Sequence, residues 1–272
     1  MIDIHPHVIA EDVRRYALAP LGGRQSDWSR SRPVSFEKML TAMDEAGIER
    51  SVLVQASTCY GHDNSYLADA VAAHRKRFAG VFSVDMLAPD ATDRIRYWMS
   101  KGLTGLRVFI AGHTTSQDSR LDDPRSFPAW QCAVDASLPV CVQLRAPGLP
   151  QLETLLQRFP RARIILDHMA RPVVEDAESL FALALYKNLF LKLTTHNVRD
   201  ADRNKTFFQR VVQAFGASRI AWGSNYPASE GSLSSLLTEA RDTLGGVSDA
   251  DREWIFSRTA ENLYPSKAMC PG

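Results

Sequence analysis

Asp3, His5 and His7 stand two residues apart near the start of the chain. On an extended strand that spacing turns all three side chains to one face, and two imidazoles converging there can hold a divalent cation. The plainer reading is a pair of hydrogen-bonded histidines capping a core. Other histidines follow short apolar runs: His62, His113, His168 and His196, with only His74 inside a helical pattern. Arg107 lies within the apolar run Gly105–Ile110. A buried guanidinium there needs an anion, either a structural carboxylate or the carboxylate of a substrate. Arg171, three residues past His168, is either a second carboxylate contact or a solvated surface arginine. Asn225, in the segment Ala221–Pro227, is a candidate site residue or a turn residue before Tyr226-Pro227.

These residues gain meaning from the elements that carry them. Apolar runs at Ile2–Ile4, Ser51–Gln55, Phe78–Ser83, Gly105–Phe109, Pro139–Leu144, Arg163–Asp167, Leu189–Leu193 and Arg219–Gly223 read as buried parallel strands. Between and after them, helical periodicity is expected around Phe36–Ala46, Tyr66–His74, Asp93–Met99, Phe127–Ala136, Leu149–Phe159, Leu180–Tyr186, Thr206–Phe215, Leu233–Leu244 and Asp249–Ser257. Eight strand–helix units predict an α/β fold, a single (β/α)8 TIM barrel domain over residues 1–272, with the active site at the C-terminal ends of the strands. No Gly-rich phosphate turn of a doubly wound sheet is present. The polar stretch Gly22–Pro33 reads as a long first loop; its Arg24, Trp28, Arg30 and Arg32 could close over the mouth.

The 32 Lys+Arg nearly balance 31 Asp+Glu over 272 residues, giving a net charge of +1. That balance argues against a nucleic-acid partner and a polybasic membrane clamp. Four dispersed cysteines form no CxxC pair, no apolar run is long enough to cross a bilayer, and the N-terminus has no signal-peptide pattern. The expectation is a cytoplasmic protein with reduced thiols and no membrane partner. A homo-oligomer is compatible with such a barrel.

Taken in order, Asp3-Ile4-His5-Pro6-His7, Ile165-Leu166-Asp167-His168-Met169-Ala170-Arg171-Pro172, Trp222-Gly223-Ser224-Asn225-Tyr226-Pro227 and Glu261-Asn262-Leu263-Tyr264 resemble the first-, sixth- and eighth-strand signatures and C-terminal helix of the amidohydrolase superfamily. The likeness spans essentially the whole chain and points to the lactonase-rich, amidohydrolase-related (amidohydrolase 2) branch. Within it, the second-strand segment Val52–Asn64, Arg107 and the His168–Arg171 loop are most similar to the 2-pyrone-4,6-dicarboxylate lactonase group. The resemblance implies a hydrolase that opens a carboxylate-bearing cyclic ester. His5, His7 and His168 would surround the lactone carbonyl, Arg107 and Arg171 would bind carboxylates, and Gln55, Ser57 and Thr58 would line the second-strand side. Oxyanion donors of this kind are worth roughly 3–4 kcal/mol each.

Two departures from the family pattern matter. The family places an Asp general base where this chain has Asn225, and an amide cannot take a proton from water. The chain as written is therefore expected to be badly impaired in that hydrolysis, as a deliberate Asp→Asn exchange or natural divergence would make it. His196 is the nearest alternative base by strand order. The fifth strand offers Gln143 or Arg145 where metal-binding members carry a ligand, and neither suits zinc. The expectation is thus no required metal, with a weakly bound Zn2+ at His5, His7 and His168 as the alternative. Competing expectations are a metal-dependent decarboxylase or C–N amidohydrolase, and a catalytically silent ligand-binding homologue. The segment after Arg107 lacks a second arginine before His113, which suggests a substrate with fewer or differently placed carboxylates.

Overall fold

A computed structural model describes residues 1–109, 120–171, 177–200 and 206–266. The strands are β1 (Ile2–Asp3), β2 (Arg50–Val54), β3 (Phe78–Ser83), β4 (Gly105–Phe109), β5 (Pro139–Gln143), β6 (Arg163–Leu166), β7 (Leu189–Thr194) and β8 (Ile220–Gly223). They lie side by side in sequence order, every paired neighbour parallel. Helices α1 (Phe36–Ala46), α2 (Ser65–Ala73), α3 (Ala91–Ser100), α4 (Phe127–Asp135), α5 (Leu149–Arg158), α6 (Glu178–Ala182), α7 (Phe207–Phe215) and α8 (Leu233–Thr243) fall one after each strand. This is the (β/α)8 TIM barrel that the alternation predicts. The ring closes where Ile4 N–H donates to Trp222 O at 3.1 Å.

Two apolar layers hold it together. Ile2, Ile4, Val52, Val54, Ala79, Val81, Cys141, Ile165 and Ala221 fill the barrel interior at alternate strand positions. The last described turns, with Leu263 and Tyr264, pack against that same interior cluster. The larger layer lies between strands and helices and includes Leu53, Phe82, Leu106, Leu166, Leu191 and Trp222. Amphipathic helices supply its outer half: α5 buries Leu149, Leu152, Leu155 and Leu156. Ser35 caps α1 by accepting from Lys38 N–H, and Gly47 ends it in the left-handed region.

Some local detail differs from the periodicity. The first loop contains a short helix, Asp27–Ser31, and further short helices follow β2 (Ser57–Tyr60) and β7 (Thr195–Asp200). They are too short for a hydrophobic period to register. The C-terminal helical stretch continues past Ser257 as a wide turn, Trp254–Arg258, and ends at Leu263. His113 lies outside the described residues.

One close approach decides the joint between β1 and β8. A Cβ on Gly223 would lie 2.5 Å from His5 Cβ and 3.0 Å from His5 N. Neither atom is the end of a flexible chain, so the strands would have to part. Gly223→Ala is expected to lower stability by about 1–3 kcal/mol, the usual range for overpacking, as read from urea unfolding. A variant as stable as the parent would mean that the joint can open.

Candidate active site

Histidines line up across the C-terminal mouth of the barrel. The rings of His7 and His5 are 5.0 Å apart, His5 and His168 4.8 Å, and His168 and His196 5.2 Å. At one end His196 Nε2 accepts from Asn225 Nδ2 at 3.2 Å. At the other the Trp28 ring lies 5.2 Å from His7, tilted by 31°. The structure thus brings together six of the residues picked out in the sequence, His5, His7, His168, His196, Asn225 and Trp28 of the first loop.

Asp3 has a different task. Its Oδ1 accepts from the backbone N–H groups of His5 at 3.0 Å and Ser224 at 2.8 Å. The regular strand stops at Asp3, and this bend fastens β1 to β8 below the mouth. Asp3 therefore does not join the histidines on one face, because a buried carboxylate takes the nearest backbone donors.

Below the imidazoles lies a buried charge cluster that the strand pattern only half revealed. Arg107 Nε donates to Asp167 Oδ2 at 2.8 Å, and Lys192 Nζ lies 2.7 Å from Asp167 Oδ1. Arg107 Nη2 also reaches His5 Nε2 at 3.5 Å and Gln143 Oε1 at 3.4 Å. The structural carboxylate left open for Arg107 is thus Asp167, and only the Nη edge remains for a ligand. Lys192 was missed by sequence reasoning. Its signal was there, since a lysine between Leu191 and Leu193 in a buried strand needs an anion as much as Arg107 does.

The remaining candidates divide into rim and scaffold. Arg171 is partly exposed at the rim, with Nη2 3.7 Å from Asp200. Gln55 donates to the carbonyls of Gly61 at 3.3 Å and Asp63 at 2.7 Å, so its amide holds the loop after β2. Ser57 bonds Ser83, and Thr58 donates to Ser26 of the first loop. Arg24 and Arg30 pair with Asp27, and Arg32 binds the Pro227 and Ala228 carbonyls. The first loop is therefore stapled to the β8 loop and brings an aromatic ring, not a described cation, to the histidines.

Hydrogen bonds set how the rings can act. His7 Nδ1 lies 2.8 Å from Val54 O, which only accepts, so a neutral His7 carries its proton there and presents a lone pair at Nε2. His168 Nδ1 is 2.7 Å from Thr194 Oγ1, whose own hydrogen is directed at Asn197 Oδ1 at 3.3 Å, so the hydroxyl accepts from Nδ1–H. Burial is the main cause that pushes all these rings toward neutrality, aided by cations. His7 falls to about 3, with Arg107 contributing. His5 and His168 lie far below the ordinary imidazole value, Lys192 and Arg107 adding to the burial at both. His196 falls to about 4, with Arg171 beside it. Burial pulls the Asp167 carboxyl upward, but Lys192 and Arg107 outweigh it and hold the group ionised well below the usual range.

By distance alone, His5, Asp167 and His168 offer ligand atoms within 4.8 Å of one another. That set includes Asp167 in place of His7 in the trio expected from sequence. Both Asp167 oxygens already face a fixed cation, which competes with a divalent ion for that carboxylate, while neutral imidazole is the form that zinc takes. A metal bound there would sit within a few ångströms of two positive groups in a poorly screened interior.

The profile of an amidohydrolase family matches residues 2–266, and the chain belongs to that family. Among curated relatives it is similar to an L-fucono-1,5-lactonase from Burkholderia ambifaria, 28% identical over 209 residues that cover 72% of this chain and 70% of the relative. Among solved structures it resembles a protein from Pseudomonas putida provisionally assigned as a 2-pyrone-4,6-dicarboxylic acid hydrolase (21% identity, 98% of each chain, TM-score 0.79). It also resembles a Burkholderia multivorans amidohydrolase with bound zinc (20% identity, 97% of this chain and 98% of that one, TM-score 0.77). Among the described residues, no helix is long and apolar enough to cross a membrane.

The buried rings make stability depend on pH with a definite sign. Unfolded histidines take up protons below 6.5, whereas His5, His7 and His168 stay neutral in the fold. Their contribution is therefore intact above pH 6.5 and is lost as pH falls. Each can remove up to about 1.4 kcal/mol per pH unit. Asp3 opposes this in part: burial raises its carboxyl from 3.8 to about 6, so the fold gains a proton there first. Urea unfolding from pH 7.5 to 5 should show a net fall in stability. A rise on acidification would mean that the rings are charged in the fold.

Proposed function

We propose that this site is built to open a carboxylate-bearing lactone by attack of water on the ring carbonyl, with residue 225 at the position of the general base. The observation that carries the reading is the unbroken row of four imidazoles ending on Asn225. The lactonase relative and the structural likeness to a pyrone-dicarboxylic acid hydrolase support it.

Roles follow from hydrogen-bonding capacity. The carbonyl oxygen lies at the His5–His168 pair, where the free edge of Arg107 can donate to it. His7 as a neutral ring accepts at Nε2, so it orients the attacking water or a substrate hydroxyl. Arg171 at the rim takes a substrate carboxylate, and Gln143 steadies Arg107. Gln55, Ser57 and Thr58 act by shaping the wall on the β2 side. In a chain with Asp at 225, that carboxylate takes the water proton and returns it to the ring oxygen as the C–O bond breaks. No metal enters this route, because Arg107 and Lys192 already supply the positive field.

Asn225 does not distort the site. Its Nδ2 bonds His196 Nε2 at 3.2 Å and Ser229 Oγ at 3.0 Å. An aspartate could use the same partners after a tautomer change at His196 and a rotation of the Ser229 hydroxyl. Those two acceptors around the amide also favour a second reading, a homologue that binds its ligand without turning it over.

One experiment separates the two. Turnover of carboxylated and neutral sugar lactones is measured for this chain and for Asn225→Asp, metal-free and with Zn2+. The lactonase reading expects metal-free kcat to rise by roughly 10²–10⁴, the range for a positioned general base. Ligand binding with no turnover in either chain would favour the binding homologue.

A further inference from the structure

The two ends of the imidazole row differ in charge. Three arginines act on the His196 end. Arg199 is fully engaged: its Nε and Nη2 donate to the two Glu239 oxygens at 2.9 Å, and Nη2 also reaches Glu230 O at 2.7 Å. Arg171 faces Asp200 at 3.7 Å. Arg145 is exposed and has neither a hydrogen bond nor an ion pair among the described residues. It continues the line of β5 in extended backbone (φ −105°, ψ 165°), two residues beyond Gln143. Alternation along that stretch puts Leu144 in the outer apolar layer and Cys141 in the inner one. Gln143 is on the inner side too, where its Oε1 accepts from Arg107 at 3.4 Å. Arg145 therefore leaves the chain on the side of the mouth. Its charge reaches His196: burial first, then Arg171, and after it Arg145 and Arg199 lower that ring, with Asp200 opposing them.

The His7 end is different. There the Trp28 ring lies 5.2 Å from His7, and the neutral imidazole presents a lone pair at Nε2. The first-loop arginines are occupied, Arg24 and Arg30 by Asp27 and Arg32 by the Pro227 and Ala228 carbonyls. A carboxylate at this end would meet a lone pair and the negative face of an indole, whereas a hydroxyl can donate to the one and a carbon-bound ring face can pack on the other. We infer that Arg145 is a specificity-determining residue that, with Arg171, takes a single carboxylate beyond His196, so that the substrate is a hydroxylated lactone with one carboxylate and not a dicarboxylate reaching both ends. This deepens the lactone reading, on which it rests, by naming the class of lactone. A guanidinium without a protein partner gives up no bond when it grips a carboxylate with two N–H groups. Arg171 must share itself with Asp200, so Arg145 contributes more.

Calorimetry on the full chain, with Asn225 in place, tests this with three probes. Glucarolactone carries one carboxylate, gluconolactone of the same ring size has a hydroxymethyl group in its place, and 2-pyrone-4,6-dicarboxylate carries two carboxylates on a flat ring without hydroxyls. The unaltered chain is expected to bind glucarolactone at least about tenfold more tightly than either of the others, the scale of a hydrogen-bonded charge. Arg145→Gln should lose that preference, weakening glucarolactone about tenfold or more and gluconolactone less than about twofold. Arg145→Lys keeps the charge without the fork and should recover part of the loss, which a merely structural role would not produce. Arg145→Gln that binds glucarolactone as well as the parent would overturn the assignment. So would a parent that binds gluconolactone or the dicarboxylate as tightly as glucarolactone, or that binds none of the three. Failure of Asn225→Asp to turn over any lactone would sink the hydrolytic reading and leave these affinities unchanged. A gain in turnover beside an indifferent Arg145→Gln would sink only the role given to Arg145.

Discussion

The Asp167 carboxylate, buried between Arg107 and Lys192, is the interaction on which the rest of the site depends. Two cations inside a barrel are tolerable only with an anion between them, and removing one partner of a buried pair leaves an uncompensated charge that costs about 3–5 kcal/mol. Asp167 draws one cation to each oxygen. That geometry turns the outer edge of Arg107 toward His5 and Gln143 and places positive charge beneath the imidazoles. The rings stay neutral partly for this reason, so their lone pairs and N–H groups remain available for hydrogen bonding at neutral pH.

The backbone accepts strain to hold the layer above. His168, Met169, Ala170 and Arg171 all have positive φ, at 55°, 51°, 59° and 45°. For residues other than glycine this costs roughly 1–2 kcal/mol each. Asn197 offsets part of it by donating to His168 O at 2.8 Å, and Met169 and Ala170 are completely buried. The tight left-handed turn lets one short segment give Asp167 to the charge cluster, His168 to the imidazole row and Arg171 to the rim. Asn225 also sits at positive φ, 58°. Asn and Asp both tolerate that conformation, so position 225 can exchange one for the other with the backbone unchanged.

Much of the fold was legible because it is written in local periodicity. Phe78–Ser83, Gly105–Phe109 and Phe36–Ala46 have the limits expected from sequence, and the other strands differ by one residue at an end, β2 at both. His5, His7, His168, His196 and Asn225 could be grouped because a parallel barrel gathers its strand ends at one face. Gln55, Ser57, Thr58 and Arg32 were harder to read, since a polar side chain near a strand end serves a loop or a ligand equally well until its partners are known.

The sequence by itself determined the alternation of strands and helices, the gathering of histidines at strand ends, and the absence of a carboxylate at position 225. Those are properties of residue type and spacing along the chain. Only the tertiary structure decided which anion holds Arg107, that Lys192 shares it, and that Asp3 serves the β1–β8 joint instead of the site. These are pairings between residues far apart in sequence, 60 positions for Arg107 and Asp167 and 221 for Asp3 and Ser224. Charge neutrality in a buried interior requires that each group find a partner, but only the closed barrel determines which one comes within reach.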